Sequence, residues 1–223
     1  RVTSPTATQR REEIALGVLV HVNNTVLDGV NNEQIPSIYA VSQLTDLFDA
    51  LGFFNISGNA ITANGANLNI DKSAGVIFAH GANYANDVAD PHKLALAGLT
   101  AASFQYRFQD GSNGVTGIAI DPDIKDVAGV STAVTTNKFT IQHVYSFTSN
   151  NVKIQPGQTE YNSIALAEAA IEAVPSTFVT EPSIAANGLL RGFIIVQEGA
   201  TDLSDASSAK FVGALRFGSK DYA

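Results

Sequence analysis

At 223 residues the chain is long enough for one large domain or two small ones, with a real core in either case. A net charge of -8, with Arg10-Arg11 the single basic run, argues against nucleic acid, and the absence of Cys removes disulfides, thiolate metal sites and thiol nucleophiles. The charged fraction is only 15%, so small neutral polar residues must build the surface, which suits packing against other protein chains.

Residues 1–12 carry too little apolar content to fold alone and are expected as an extended arm. The chain has no Met, so residue 1 is not expected to be the gene's first codon. The apolar stretch Ile14 to Val22 is interrupted by Gly17 and His21, too short for a membrane span and without a signal-cleavage pattern, so no membrane insertion is expected. Glu13 to Val22 reads as a buried strand, with a helix from Thr8 as the competing reading.

Ser37 after Pro36 is a good N-cap. Ile38, Val41, Leu44, Leu47, Phe48 and Leu51 then recur at helical spacing until Gly52 provides the stop, predicting a helix over 38–51. Short β-like pieces follow at Asn55 to Thr62, Asn67 to Asp71 and Ala74 to Ala79, punctuated by Gly58-Asn59 and Asn64-Gly65 turns. Residues 80–102 read as a polar loop and an Ala/Leu-rich stretch. Residues 109–135 are rich enough in Asp, Gly and Pro to predict a long irregular connection.

Ser103 to Gln109 places Phe104, Tyr106 and Phe108 on one face of a strand. In Lys138 to Thr148, Phe139, Ile141, His143, Tyr145 and Phe147 alternate along a second strand, which Ser149-Asn150-Asn151 turns into Val152 to Gln155. Asn162 or Ser163 caps a helix closed by Val174 and Pro175, and two β runs end the chain, Gly188 to Gln197 and Lys210 to Phe217.

The fold expected is α+β, mainly β, with antiparallel strands, hairpins and two short helices, assembled as an oligomer. Its expected parts are the arm 1–12, an N-terminal α/β-containing part 13–102 with helix 38–51, and a β-rich C-terminal part 103–223 with helix 163–174.

Chemical motifs are sparse. His80 and His92 bracket Asp87 and Asp90, a metal-ligating set in type but not in helical spacing. Asp121, Asp123 and Asp126 offer a hard cation three carboxylates, yet the central glycine and closing glutamate of a calcium loop are missing. Asp202 and Asp205 are also candidate ligands, although such residues equally serve turns. Metal binding stays undetermined at this point. His143 shares the aromatic face of its strand, where a core or interface histidine is the expectation, and Tyr84, Tyr106, Tyr145 and Tyr161 offer stacking surfaces for sugars. Neither the nucleophile elbow nor either glycine-rich phosphate pattern occurs, so no catalytic residue and no cofactor is assigned.

Several phrases go together: Lys153-Ile-Gln-Pro-Gly-Gln-Thr-Glu-Tyr161 leading into an Ala-rich helix, Leu189-Leu-Arg-Gly-Phe-Ile-Ile-Val196, and Gln197-Glu-Gly-Ala-Thr-Asp-Leu-Ser-Asp205. With Tyr39 to Phe54, Asn67-Leu-Asn-Ile-Asp71 and Gly75-Val-Ile-Phe-Ala-His-Gly81, they resemble virion structural proteins of tailed bacteriophages, of the fibre or appendage type. The resemblance implies a homo-oligomer, a trimer above all, made in the host cytoplasm and carried on the virion exterior against other virion proteins. Contact with a host surface glycan or protein belongs to the same implication. A carbohydrate-binding or adhesion module is the alternative, and a polysaccharide depolymerase with two carboxylates facing across a cleft the enzymatic one.

Overall fold

The computed structural model describes residues 18–22, 26–31, 40–173 and 176–214, and the chain divides after Gly52 into two compact units. In the first unit, β1 (Val18–Val22) and β2 (Val26–Asn31) form an antiparallel hairpin with a register shift at Val20/His21. Helix α1 (Ala40–Leu51) follows, and the Gly52 amide closes it on the Phe48 carbonyl at 3.0 Å with φ at +65°. Gly52 is thus the stop the sequence predicts, because the left-handed backbone there carries no Cβ penalty. Ser37, the anticipated N-cap, lies outside the described residues, as do residues 1–12.

The second unit is built on a six-stranded sheet. Its strands are β8 (Phe104–Arg107), β9 (Asn113–Gly117), β12 (Phe139–Ser146), β13 (Val152–Gln155), β14 (Leu189–Gln197) and β15 (Ala209–Gly213), in the spatial order β15-β14-β12-β13-β8-β9. All pairs are antiparallel except β13 with β8, which sets Val152 beside Phe104. Three smaller elements complete the unit. They are a sheet of β3 (Phe54–Gly58), β6 (Gly75–Phe78) and β7 (Lys93–Leu96), and the hairpins β4–β5 (Ile61–Ala63, Ile70–Lys72) and β10–β11 (Ile124–Val127, Val130–Ala133).

Every residue of β12 is buried, because both faces of the sheet are covered. Phe139, Ile141 and Tyr145 point to a cluster with Phe193 and Ile195 of β14, closed by Ala167 and Ile171 of α2 (Ile164–Glu172) and by Ile184 of α3 (Pro182–Asn187). Val144, Ile194 and Val196 point the other way, onto Tyr106, Ile120, Ile154, Ile61 and Ile70. Two-sided burial explains why β14 reads as a nearly unbroken apolar run instead of alternating. Each fully buried Ile or Val contributes about 1.5–3 kcal/mol over the exposed side chain.

The described residues are mainly β, with 39% strand against 15% helix, as the sequence predicts. The fold departs from prediction in several places, with β2 and β7 lying where no strand is predicted. Residues 109–135, read as one irregular connection, contain β9, β10 and β11. Their residues score poorly as strand because tertiary hydrogen bonds, not propensity, hold them: the Asp126 carboxylate accepts from the Gln109 and Gly129 amides at 2.6 and 2.8 Å. The third helix, α3, was also not anticipated. It is short, with Glu181 at the N-cap accepting from the Ile184 amide and Pro182 at its first position. The helix capped by Ser163 ends at Glu172; Val174 and Pro175 lie outside the described residues, as does the stretch of the last β run beyond residue 214.

Candidate functional site

Phe104, Tyr106 and Phe108 share one face near the β9 side of the sheet, where the sequence places them, and form the floor of a groove of about 320 Å3 walled by Val115, Ile124 and Ser131. Gly114 of β9 lets the walls come this close, since a Cβ there would lie 2.7 Å from the Tyr106 Cβ and 2.9 Å from the Phe108 ring. All three aromatics are at most 7% exposed. Tyr106 is pinned: its hydroxyl donates to Gln142 Oε1 at 3.1 Å and accepts from the Asp121 amide at 2.8 Å, while Gln142 Nε2 donates to the Asp121 carbonyl at 2.7 Å. Burial pushes the phenol far above its ordinary pKa, so it stays protonated and structural. The wall of the groove is different in kind, with Val115 78% exposed.

The carboxylates singled out in the sequence are occupied by the backbone around them. Asp121 accepts from the Asp123 amide at 3.0 Å, and Asp123 accepts from the Gly199 amide at 2.7 Å. Asp126 is buried inside its ring of donors. Asp202 and Asp205 each hold the amide and hydroxyl of the serine two residues on, Ser204 and Ser207, and the latter contacts keep Asp205 below its usual pKa. In the 80–92 loop the two imidazoles do meet, with ring centroids 4.9 Å apart. His92 Nδ1, however, accepts from the Gly81 amide, Asp87 accepts from the Ala89 and Asp90 amides, and Asp90 pairs with Lys93 at 2.6 Å. Among the described residues no group of three or more His, Asp or Glu is placed to hold a metal ion.

His143 lies among aromatics, as its strand position predicts: it stacks on Phe178 at 3.6 Å and meets Phe193 edge-on at 4.9 Å. A second cavity, of about 110 Å3, opens beside it between Gln158, Tyr161, Thr177 and Phe178. Of the tyrosines considered for sugar stacking, Tyr106 and Tyr145 are buried, Tyr161 is half-buried, and Tyr84 is exposed on its own loop.

Two polar clusters were not anticipated. In one, Arg107 donates to Asn113 Oδ1 at 2.6 Å and to Glu181 Oε1 at 3.4 Å. Burial raises the Glu181 pKa, but donors from Ser183, Ile184 and Arg107 outweigh it and hold the carboxyl below its usual value. In the other, Lys72 Nζ donates to Asn59 Oδ1 at 2.9 Å and Arg191 Nε donates to the Asn59 carbonyl at 3.3 Å. Arg191 reaches inward because it is the extra residue of a bulge, between Leu190 opposite Tyr145 and Gly192 opposite Val144.

No known protein family, curated protein or solved structure matches the chain. Among the described residues no helix is long and apolar enough to cross a membrane.

Proposed function

We propose that this chain is a non-enzymatic structural module of a homo-oligomeric assembly, of the kind carried as an appendage on bacteriophage virions. The observation that carries the reading is α1, whose Leu44, Leu47 and Leu51 are 50%, 51% and 43% exposed in a helix of only 12 residues. Their spacing of three and four residues is that of a helix–helix seam, with Asp46 and Asp49 on the opposite side. A helix this short is marginal in water by itself, so an apolar seam exposed among the described residues is a face for other copies to cover. The low charge, the phrases similar to phage appendage proteins and the engagement of the candidate acids in loop hydrogen bonds support the same reading.

The carbohydrate-binding alternative ranks below it, because the aromatic floor of the groove is buried beneath its own walls and offers no stacking platform. Light scattering during size exclusion tests the proposal. The expected mass is a multiple of 23.4 kDa, threefold above all, falling in Leu47→Asp, and gold-labelled antibody should mark the exterior of purified virions. A wild-type mass of 23.4 kDa at every concentration, with unlabelled virions, overturns it.

A further inference from the structure

Strand β9 carries two glycines at the groove, and they do different things. Gly114 packs its backbone directly against Tyr106 and Phe108, leaving no room for a side chain. Gly117 lies opposite Phe104 of β8, so a side chain there would stand on the aromatic side of the sheet, and a Cβ built at that position meets no atom within 4 Å. The groove is thus kept open by a missing side chain, and its volume of about 320 Å3 falls at the small end of ligand sites.

The groove is apolar but not neutral. Of the residues that line it Asp121 alone carries a charge, and Asp121 is exposed. The Tyr106 hydroxyl is already spent on Gln142 and the Asp121 amide. One oxygen of the Asp121 carboxylate accepts from the Asp123 amide at 3.0 Å; among the described residues no donor binds the other, and no cation pairs with the group. The cations of the neighbouring strands are engaged elsewhere, Arg107 of β8 with Asn113 and Glu181, and Lys125 of β10 with Glu160 at 2.6 Å. With Asp123 two residues on and a net charge of -8 over the chain, the field favours a positive ligand.

We infer that this groove receives a lysine side chain of a basic partner protein, its aliphatic stem along Val115 and Ile124 and its ammonium on the second oxygen of Asp121. An apolar wall ending in one carboxylate matches a side chain that buries methylenes and keeps its charged head wet. The single available oxygen separates the two basic residues: the guanidinium fork of Arg asks for both carboxylate oxygens, whereas an ammonium is a point charge that one oxygen serves. A protein is favoured over a free amine because β9 ends its sheet, with no strand among the described residues on its outer side, so an extended segment bearing the lysine finds backbone partners beside the groove. The site does not require the homo-oligomer proposed above.

The probe is the peptide acetyl-Thr-Val-Lys-Val-Thr-amide, titrated into the isotope-labelled full chain and followed by amide chemical shifts. Saturable shifts are expected at Val115 to Gly117 and at Ile124. Replacing the peptide's Lys by norleucine or by Arg should weaken binding about fivefold or more, and so should Asp121→Asn, which keeps an acceptor for the Asp123 amide. Gly117→Val, which fills open space and is checked for folding by circular dichroism, should weaken it by at least as much. No saturable shift with the lysine peptide overturns the site, as does undiminished binding in Asp121→Asn or in folded Gly117→Val. Equal affinity for the norleucine or Arg peptide overturns the choice of lysine, and hexylammonium binding where the peptide does not overturns the protein partner. Should Gly117→Val fail to fold, Asp121→Asn and the peptide series decide alone.

Discussion

Lys72 and Asp126 are equally buried, each at 1% exposure, yet their surroundings are opposite in charge balance. The Asp126 carboxylate has two backbone amides and the Gln109 side chain as donors, so each oxygen is matched. The Lys72 ammonium has one carboxamide oxygen and the Ser73 carbonyl at 3.3 Å, and the charge that acts on it is the Arg191 guanidinium, a second cation. Burial and then Arg191 pull the Lys72 pKa below its usual value, and burial does the same to Arg191. The acid is therefore held by a ring that needs its charge, while the two bases are held by neutral oxygens, Asn59 Oδ1 and the Ser73 carbonyl for Lys72 and the Asn59 and Leu190 carbonyls for Arg191.

That difference predicts where the unit breaks. Asn59 accepts from both cations, donates to Asn55 Oδ1 at 2.9 Å, and has a φ of +55°, a backbone that Asn tolerates better than most residues. Its carboxamide is clamped by Gly75, where a Cβ would stand 2.4 Å from Nδ2. Asn59→Ala takes the carboxamide acceptor from the buried Lys72 ammonium and puts an alanine at positive φ, and should cost about 3–4 kcal/mol in urea unfolding; the backbone carbonyl that accepts from Arg191 is unchanged. Asp126→Asn, which keeps the shape and one acceptor, should cost about 1–3 kcal/mol. Equal losses at the two positions would show that the Asn59 carboxamide is not the anchor of Lys72.

The Lys72–Arg191 cluster left traces in the sequence. Along β5, Ile70 and Lys72 are two residues apart and so share a face, and Arg191 interrupts an otherwise apolar run; each is a charge where the pattern demands burial. The sequence lacks the neighbour that tolerates them, because Asn59 lies 132 residues from Arg191 and its role exists only once β14 has bulged. Helix α1 and strand β12 were legible because a stop residue and strict alternation act locally. The strands of 109–135 were not, since their order comes from contacts such as Gln109 with Asp126 and Thr135 with Glu160 that cross from one turn to another. For the candidate site, alternation placed the Phe104, Tyr106 and Phe108 floor, but the exposed wall at Val115 depends on which strand ends the sheet, and spacing carries no such information.

Lys72→Met sharpens the comparison through pH. A folded pKa below the unfolded value of 10.5 means that the unfolded chain binds more protons between the two, so stability should rise with pH across that window and level off above it. Tyr106, raised above 10.0, acts in reverse: above pH 10 the unfolded chain loses a proton that the folded chain keeps, and stability falls. Wild-type stability should thus climb on the alkaline side before dropping, whereas Lys72→Met should lose the climb and keep the drop. Near neutral pH the substitution should change stability by no more than about 1–2 kcal/mol in either direction, because a well-packed apolar replacement removes the desolvation penalty along with the hydrogen bonds. A climb that survives in Lys72→Met would assign it to another group.

The smallest effect belongs to a carboxylate that, unlike Asp126, stands at the surface of the same hairpin. Glu160 accepts from Lys125 Nζ at 2.6 Å and from the Thr135 amide at 2.8 Å, joining β10 to the start of the β12 approach. The Lys125 bond first, and then the Thr135 amide, lower its pKa from 4.5 to about 2. The sign follows: the folded chain releases this proton more readily, so the stabilisation is complete above pH 4.5 and is lost as the pH falls toward 2. Side chains about one-fifth exposed still feel solvent screening, so Glu160→Gln should cost only about 0.5–1 kcal/mol at pH 7 and less in high salt. It should also flatten the acid limb between pH 4.5 and 2, as read from urea midpoints at stepped pH. An unchanged acid limb would mean that the hairpin is held by the Asp126 ring alone, and the contrast between buried and exposed carboxylates would then extend to function as well as to strength: one folds the loop, the other merely decorates it.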